Sequence, residues 1–203
     1  MNDTPLRSLM EAIASGHEVA VAELLAVSPG LATAALRQGA TRAAATENFL
    51  AAIAHHLYAG DTALHVTAAA HRPAIARALI SLGANVAARN RRGATPLHYA
   101  ADGDPDAARW DPAAQTATIG LLIASGADSN AGDKSGVTPL HRAVRTRCAA
   151  AVAALIEAGA DAGRTNGNGS TAAMLATRQT GRSGSGSPTA KAQQAEIVRL
   201  LQR

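Results

Sequence analysis

The chain has 203 residues, a formal charge of +4 and 47% hydrophobic content, enough to bury a core in one domain or one continuous array. Only four aromatics are present (Phe49, Tyr58, Tyr99, Trp110), so Ala, Leu, Ile and Val must fill the interior; that disfavours a sandwich or barrel and predicts an all-α fold of short, close-packed helices. The single Cys148 excludes an intrachain disulfide framework and a multi-Cys metal site, and with neither a signal-type N-terminus nor an apolar run of about 18 residues the expectation is a cytoplasmic protein without membrane attachment.

From the N-terminus, TPLRSLMEAIASGHEVAVAELLAVSPGLA reads as a helix pair turning at Gly16-His17, with Leu24-Leu25 on the second helix; residues 1–35 are predicted to form a capping unit. Next comes GATRAAATENFLAAIAHHLYAG, where only 21 residues separate Gly39 from Gly60. That is too short for two helices and a connector, so residues 36–58 are predicted as a truncated unit with one helix, Ala43 to His56.

From Gly60 onward the chain repeats itself: GDTALHVTAAA at Gly60, GATPLHYAADG at Gly93, GVTPLHRAVRT at Gly136 and GSTAAMLATRQ at Gly169. The first and last spacings are 33 residues and the middle one 43, the signature of a solenoid with one expanded unit. Thr95-Pro96 and Thr138-Pro139 supply a capping oxygen and then a residue whose fixed φ suits the first helical position. Leu97, Ala100 and Ala101, like Leu140, Ala143 and Val144, follow in helical register and give one buried stripe. A second helix carries Ile75, Leu79 and Ile80, or Val152, Leu155 and Ile156, and stops at Gly83, Gly126 or Gly159.

This unit of helix, turn, helix and extended connector resembles the ankyrin repeat. GATPLH and GVTPLH are close matches, while GDTALH and GSTAAM drift from the motif. The resemblance implies a solenoid of helix-turn-helix units with short β-hairpin or extended connectors, divided at 59–90, 91–131 (with a ten-residue insertion), 132–164 and a C-terminal cap at 165–203 with a Gly/Ser-rich insertion. It also implies a non-catalytic module that holds another protein on its connector tips and inner-helix face. Carried over by position, the contact residues are Tyr58 and Asp61, then Arg89, Arg91 and Arg92, then Lys134, with Tyr99, Asp102, Arg145 and Arg178 from the inner helices. The tips are basic, 17 of the 19 cations being Arg, so the expected partner presents an acidic surface. A monomer is expected. Nucleic-acid or phosphate binding through the Arg-rich tips is the alternative, disfavoured by the acidic loop and the lack of a stacking stripe.

That loop, DGDPDAARWD from Asp102 to Asp111, holds four of the nine Asp residues and the only Trp. Asp111-Pro112 reads as a cap and first helical residue, so a longer outer helix should start at Pro112. Trp110 has only Gln115 as its staple position, which leaves two readings: it folds back on its own repeat, or it is an exposed anchor for the partner. A calcium loop would need Gly and Glu where Ala107 and Ala113 stand.

Other chemistry is weakly supported. His65, His98 and His141 recur at one repeat position, where the resemblance implies a structural bridge to the next connector; copies about 10 Å apart cannot share one ion. His55-His56 lacks a third ligand, Cys148 reads as a small buried filler, and GRSGSGSP lacks the Lys-Ser/Thr of a phosphate loop. No catalytic residue, metal or cofactor is expected.

Overall fold

In the computed structural model, residues 3–41, 43–177 and 187–202 are described; Arg178 and most of the Gly/Ser-rich insertion lie outside them. The helices among these residues fall into five pairs: α1 (Thr4–Ser15) with α2 (Glu18–Val27), α3 (Ala63–Ala69) with α4 (Pro73–Ser81), α5 (Pro96–Ala101) with α6 (Pro112–Ala124), α7 (Pro139–Arg145) with α8 (Ala149–Glu157), and α9 (Ala172–Ala176) with α10 (Pro188–Leu201). Inner helices α1, α3, α5, α7 and α9 pack in sequence order, and α4, α6, α8 and α10 form the outer row. The core runs between the rows through Leu64, Leu79, Leu97, Ile119, Leu122, Leu140 and Leu155, all essentially inaccessible. Each such side chain gains about 2 kcal/mol from leaving water.

The TPLH pattern works as its residue types require. Thr95 caps α5 from an extended conformation, Pro96 takes the first helical position, and His98 reaches back to the cap backbone. The His98 Nδ1 accepts from the Thr95 N–H at 3.1 Å while its Nε2–H donates to the Val137 carbonyl at 2.9 Å. His65 does the same with Thr62 and Ala94, and His141 with Thr138 and Ser170. One imidazole thus caps its own helix and ties down the next repeat's connector, and the Nδ1 bond requires the neutral ring. A proton on Nδ1 would face the Thr N–H, and burial lowers the pKa of all three rings, that of His98 to about 4.

The connector tips form a second ladder of backbone bonds. Arg91 N–H donates to Ala59 O at 2.7 Å, Lys134 N–H to Arg92 O at 3.0 Å, and Gly167 N–H to Ser135 O at 2.7 Å. Successive tips therefore touch, and residues 32 or 42 positions apart in the chain lie side by side.

The segment before α3 departs from its predicted form. Residues 43–56 are not a helix but a finger: a 3-10 turn at Thr46–Asn48, strands β1 (Phe49–Leu50) and β2 (His55–His56) paired antiparallel with Phe49 opposite His56, and a second 3-10 turn between them. The unit placed at 36–58 is thus an enlarged connector rather than a truncated helical repeat. Its ends are zipped together by Gly60 N to Leu36 O (2.7 Å), Leu36 N to Asp61 O (2.8 Å) and Ala40 N to Leu57 O (2.6 Å). Asn48, almost fully buried, accepts from Arg7 at 2.8 Å, and Leu50 and Leu57 enter the core. Ala54 turns the tip with φ of 51°. Bonding to distant partners and two leucines in the core outweigh the modest helical preference of an Ala-rich stretch.

In the C-terminal cap, Ser187 caps α10 by accepting from Ala190 N–H, and Pro188 follows at the first helical position.

Candidate functional site

The finger lies over the inner-helix face and divides it. Between the finger, helices α5 and α7, and the connector tips is a cleft of about 640 Å³. On the other side of Ala54 and His55, a second hollow of about 490 Å³ reaches toward Trp110. The His55 ring sits 4.3 Å from that of Tyr99, making part of the partition.

Position after position, equivalent residues of adjacent inner helices build the cleft floor. Tyr99 on α5 and Arg142 on α7 occupy the same repeat position, and the guanidinium lies 5.7 Å from the ring centroid. Asp102 and Arg145, one turn further on, are also equivalent. Arg142 donates to Asp102 at 2.8 Å and approaches Asp133 at 3.7 Å, while Arg145 stands 3.9 Å from Asp102. Burial works against the Asp102 carboxylate, but the charge of Arg142, with His55 and Arg145, outweighs it and holds its pKa below the ordinary 3.8. Arg142 is 12% exposed and Arg145 45%, so the first is a floor member and the second a reachable cation.

The rim carries Tyr58, Arg91, Arg92 and Lys134. Arg92 donates to the Tyr58 hydroxyl at 3.0 Å and lies 5.0 Å from its ring centroid; Arg91 lies 5.4 Å from that ring and donates to the Ala40 carbonyl. None of Arg91, Arg92 and Lys134 takes part in an ion pair among the described residues, and the ladder sets Arg92 beside Lys134. Arg89 is different: it is exposed but donates to Gly93 O and Gly132 O, both at 2.8 Å, and staples two connectors together.

Three expected contact residues are withdrawn from the surface. Asp61 is fully buried, accepting from Tyr58 N–H at 2.7 Å, Asn90 at 2.9 Å and the Tyr99 hydroxyl at 3.0 Å. Burial raises its pKa above 3.8 despite those donors and the nearby His65. Tyr99 is 1% exposed, and burial together with Asp61 pushes its hydroxyl well above the ordinary 10.0, so it stays a donor. Asp102 is neutralised by Arg142. Trp110 is half-buried against the core, and its indole N–H donates to Gln115 at 3.0 Å. Gln115 is itself fully buried and donates to Ala100 O at 3.0 Å. Trp110 thus packs on its own repeat and keeps part of its surface accessible.

Sequence reasoning missed Arg142, Asp133 and the finger residue Phe49. Arg142 was findable, because it follows TPLH where Tyr99 does one repeat earlier. Cys148 is buried beside the Trp110 loop, its thiol pushed up to about 11 by burial, which removes its nucleophilic form at neutral pH. Among the described residues no group of three or more His, Cys, Asp or Glu converges as a metal site, and no helix is long and apolar enough to cross a membrane.

Comparison with protein families places ankyrin repeats along most of the chain. Residues 9–110 match a model of ankyrin repeats in three copies, residues 122–176 a model of ankyrin repeats in many copies, and residues 92–134 the single ankyrin repeat. The curated proteins give no match.

Proposed function

Because the chain belongs to the ankyrin-repeat family, whose members are generally non-catalytic protein–protein interaction modules, we propose that it holds an acidic surface of another protein in the cleft between finger and connector tips. The observation that carries this reading is the row of rim cations: Arg91, Arg92 and Lys134 stand on touching tips with no acid of the described residues paired to them, next to the half-exposed Arg145. Such a row attracts carboxylates and steers encounter. The proposal includes a monomer in the cytoplasm, a setting in which a lone thiol such as Cys148 stays reduced.

Nucleic acid fits the cleft less well. Asp102 and Asp133 line it, Tyr58 is flanked by Arg91 and Arg92, and among the described residues Phe49 is then a single exposed ring in the cleft and not a row of faces for successive bases.

The test is affinity capture from native extract with the wild-type chain and an Arg92→Glu, Lys134→Glu variant, both verified as folded monomers by circular dichroism and light scattering. These positions are chosen because Arg89 and Arg91 bond to backbone carbonyls. A protein retained by the wild type and lost by the variant is the expected result; equal retention would move the site off this face.

A further inference from the structure

Taking the acidic-partner reading as its basis, we infer that the finger-walled cleft receives a short extended segment of the partner in which a hydrophobic residue lies next to an acidic one, the hydrophobic side chain resting on Phe49. Three observations lead there. The finger is a fixed wall: Asn48 is bonded to Arg7, Leu50 and Leu57 are in the core, and the base is zipped to Leu36 and Ala40. A partner must therefore fit beside the finger, in a space of about 640 Å³ that suits a few extended residues and not a broad folded face.

The second observation is Phe49. Among the described residues it is the only one of Phe, Tyr and Trp that is exposed, at 42%, and it lines the cleft with the His56 ring tilted against it 4.8 Å away. Leu50, its neighbour on β1, points into the core, so alternation along the strand forces Phe49 outward. An apolar ring held rigidly at the edge of a cleft is the kind of feature that becomes an anchoring contact when covered.

The third is the rest of the cleft lining. Arg92, Lys134 and Arg145 all line the same cleft as Phe49. A segment lying in it meets one exposed apolar ring and several cations. Charge complementarity then selects Asp or Glu, and Phe49 selects a hydrophobic residue, within the same few residues of the segment.

The experiment is selection of random twelve-residue peptides displayed on phage against immobilised full chain, repeated with Phe49→Ala and with Arg92→Glu, Lys134→Glu. The expected pool is enriched in a hydrophobic residue adjacent to Asp or Glu, and a synthetic peptide from it binds at least tenfold more weakly to either variant. If the pool is acidic, is lost with Arg92→Glu, Lys134→Glu and ignores Phe49→Ala, the role of the finger is wrong while the acidic-partner reading stands. If selected peptides ignore both variants, both readings fall at this cleft. A pool no richer than the input shows that a short segment does not suffice and overturns the inference, leaving the acidic-partner reading to the capture experiment. Circular dichroism of Phe49→Ala guards against a folding defect, and Phe49→Leu, which keeps an apolar side chain, should recover most of the affinity.

Discussion

Helices α5 to α8 and the finger at residues 43–57 are neighbours in space and opposites in how they are specified. In the regular repeats every structural part is written within about ten residues: Thr caps, Pro starts, His reaches back, Leu fills, and the same imidazole ties the next connector. In the finger the deciding contacts are long-range, from Arg7 to Asn48, Leu36 to Asp61 and Ala40 to Leu57. A short local code is readable and robust, because each repeat restates it; a segment set by distant partners is neither repeated nor readable. The cleft lies where the two meet, so its shape depends on the region that the repeat code does not describe.

Acidification should break the regular region first and most deeply. The folded His98 takes up its proton only at about 4, against 6.5 in an unfolded chain. Its contribution is therefore present in full above pH 6.5 and lost as pH falls from 6.5 toward 4, by about 3 kcal/mol for this one ring. His65 and His141 are shifted the same way, as is His71, whose ring bonds the carbonyls of Ala100 and Asp102, and all add to the loss. Asp61, with its raised pKa, opposes them by favouring the folded chain as it protonates. Urea unfolding at pH 7.0 and pH 4.5 measures the sum, and equal midpoints would show that the imidazole ladder does not hold the array.

Two glycine substitutions separate the regions. A Cβ on Gly39 would stand 2.5 Å from the backbone of Tyr58 and Ala59, at the base of the finger, where no flexible side chain can yield. Gly39→Ala should cost about 2 kcal/mol, with hydrogen exchange rising in residues 43–57 while α5 and α7 keep their protection. Gly93 has φ of 77°, and a Cβ there would lie 2.9 Å from Lys134 N. Gly93→Ala should cost a similar amount but loosen the ladder on both sides of it. If exchange rises in the same residues for both variants, finger and ladder are one cooperative unit and not two.

What the sequence disclosed follows the same division. Thr-Pro starts, His positions, glycine stops, the Asp111-Pro112 start of α6 and the Ser187 cap of α10 all lay in local patterns. The finger did not, since GATRAAATENFLAAIAHHLYAG is Ala-rich and nothing in it announces that Arg7 and Leu36 will claim its backbone. At the site, Arg92 and Lys134 were legible as tip cations because the repeat register places them. Asp61 was misread as exposed, although the same register offered a warning: its counterparts are Ala94, Val137 and Ser170, small or uncharged residues of which Ala94 and Ser170 are buried. A carboxylate at such a position needs buried donors, and Tyr99 and Asn90 supply them.

The smallest effect belongs to Trp110, and it tests whether the inserted loop is part of the array or an appendage like an ordinary surface loop. The indole N–H bonds to Gln115, whose amide in turn bonds to the carbonyls of Ala100 and Asp102 at the end of α5. Through this chain the loop fastens the helix end that carries Asp102, and with it the seat of Arg142. Trp110→Phe keeps most of the apolar contact and removes one donor, which leaves the Gln115 oxygen unsatisfied in a buried setting at a cost of about 1 kcal/mol. The expected result is a melting temperature lower by a few degrees with peptide or partner affinity changed less than twofold. An unchanged melting temperature with weakened binding would reverse the assignment and return Trp110 to the contact surface. A fall in both would mean that the seat of Arg142 is soft and that the cleft floor is held from the loop side, making the insertion, and not only the finger, a determinant of what the cleft accepts.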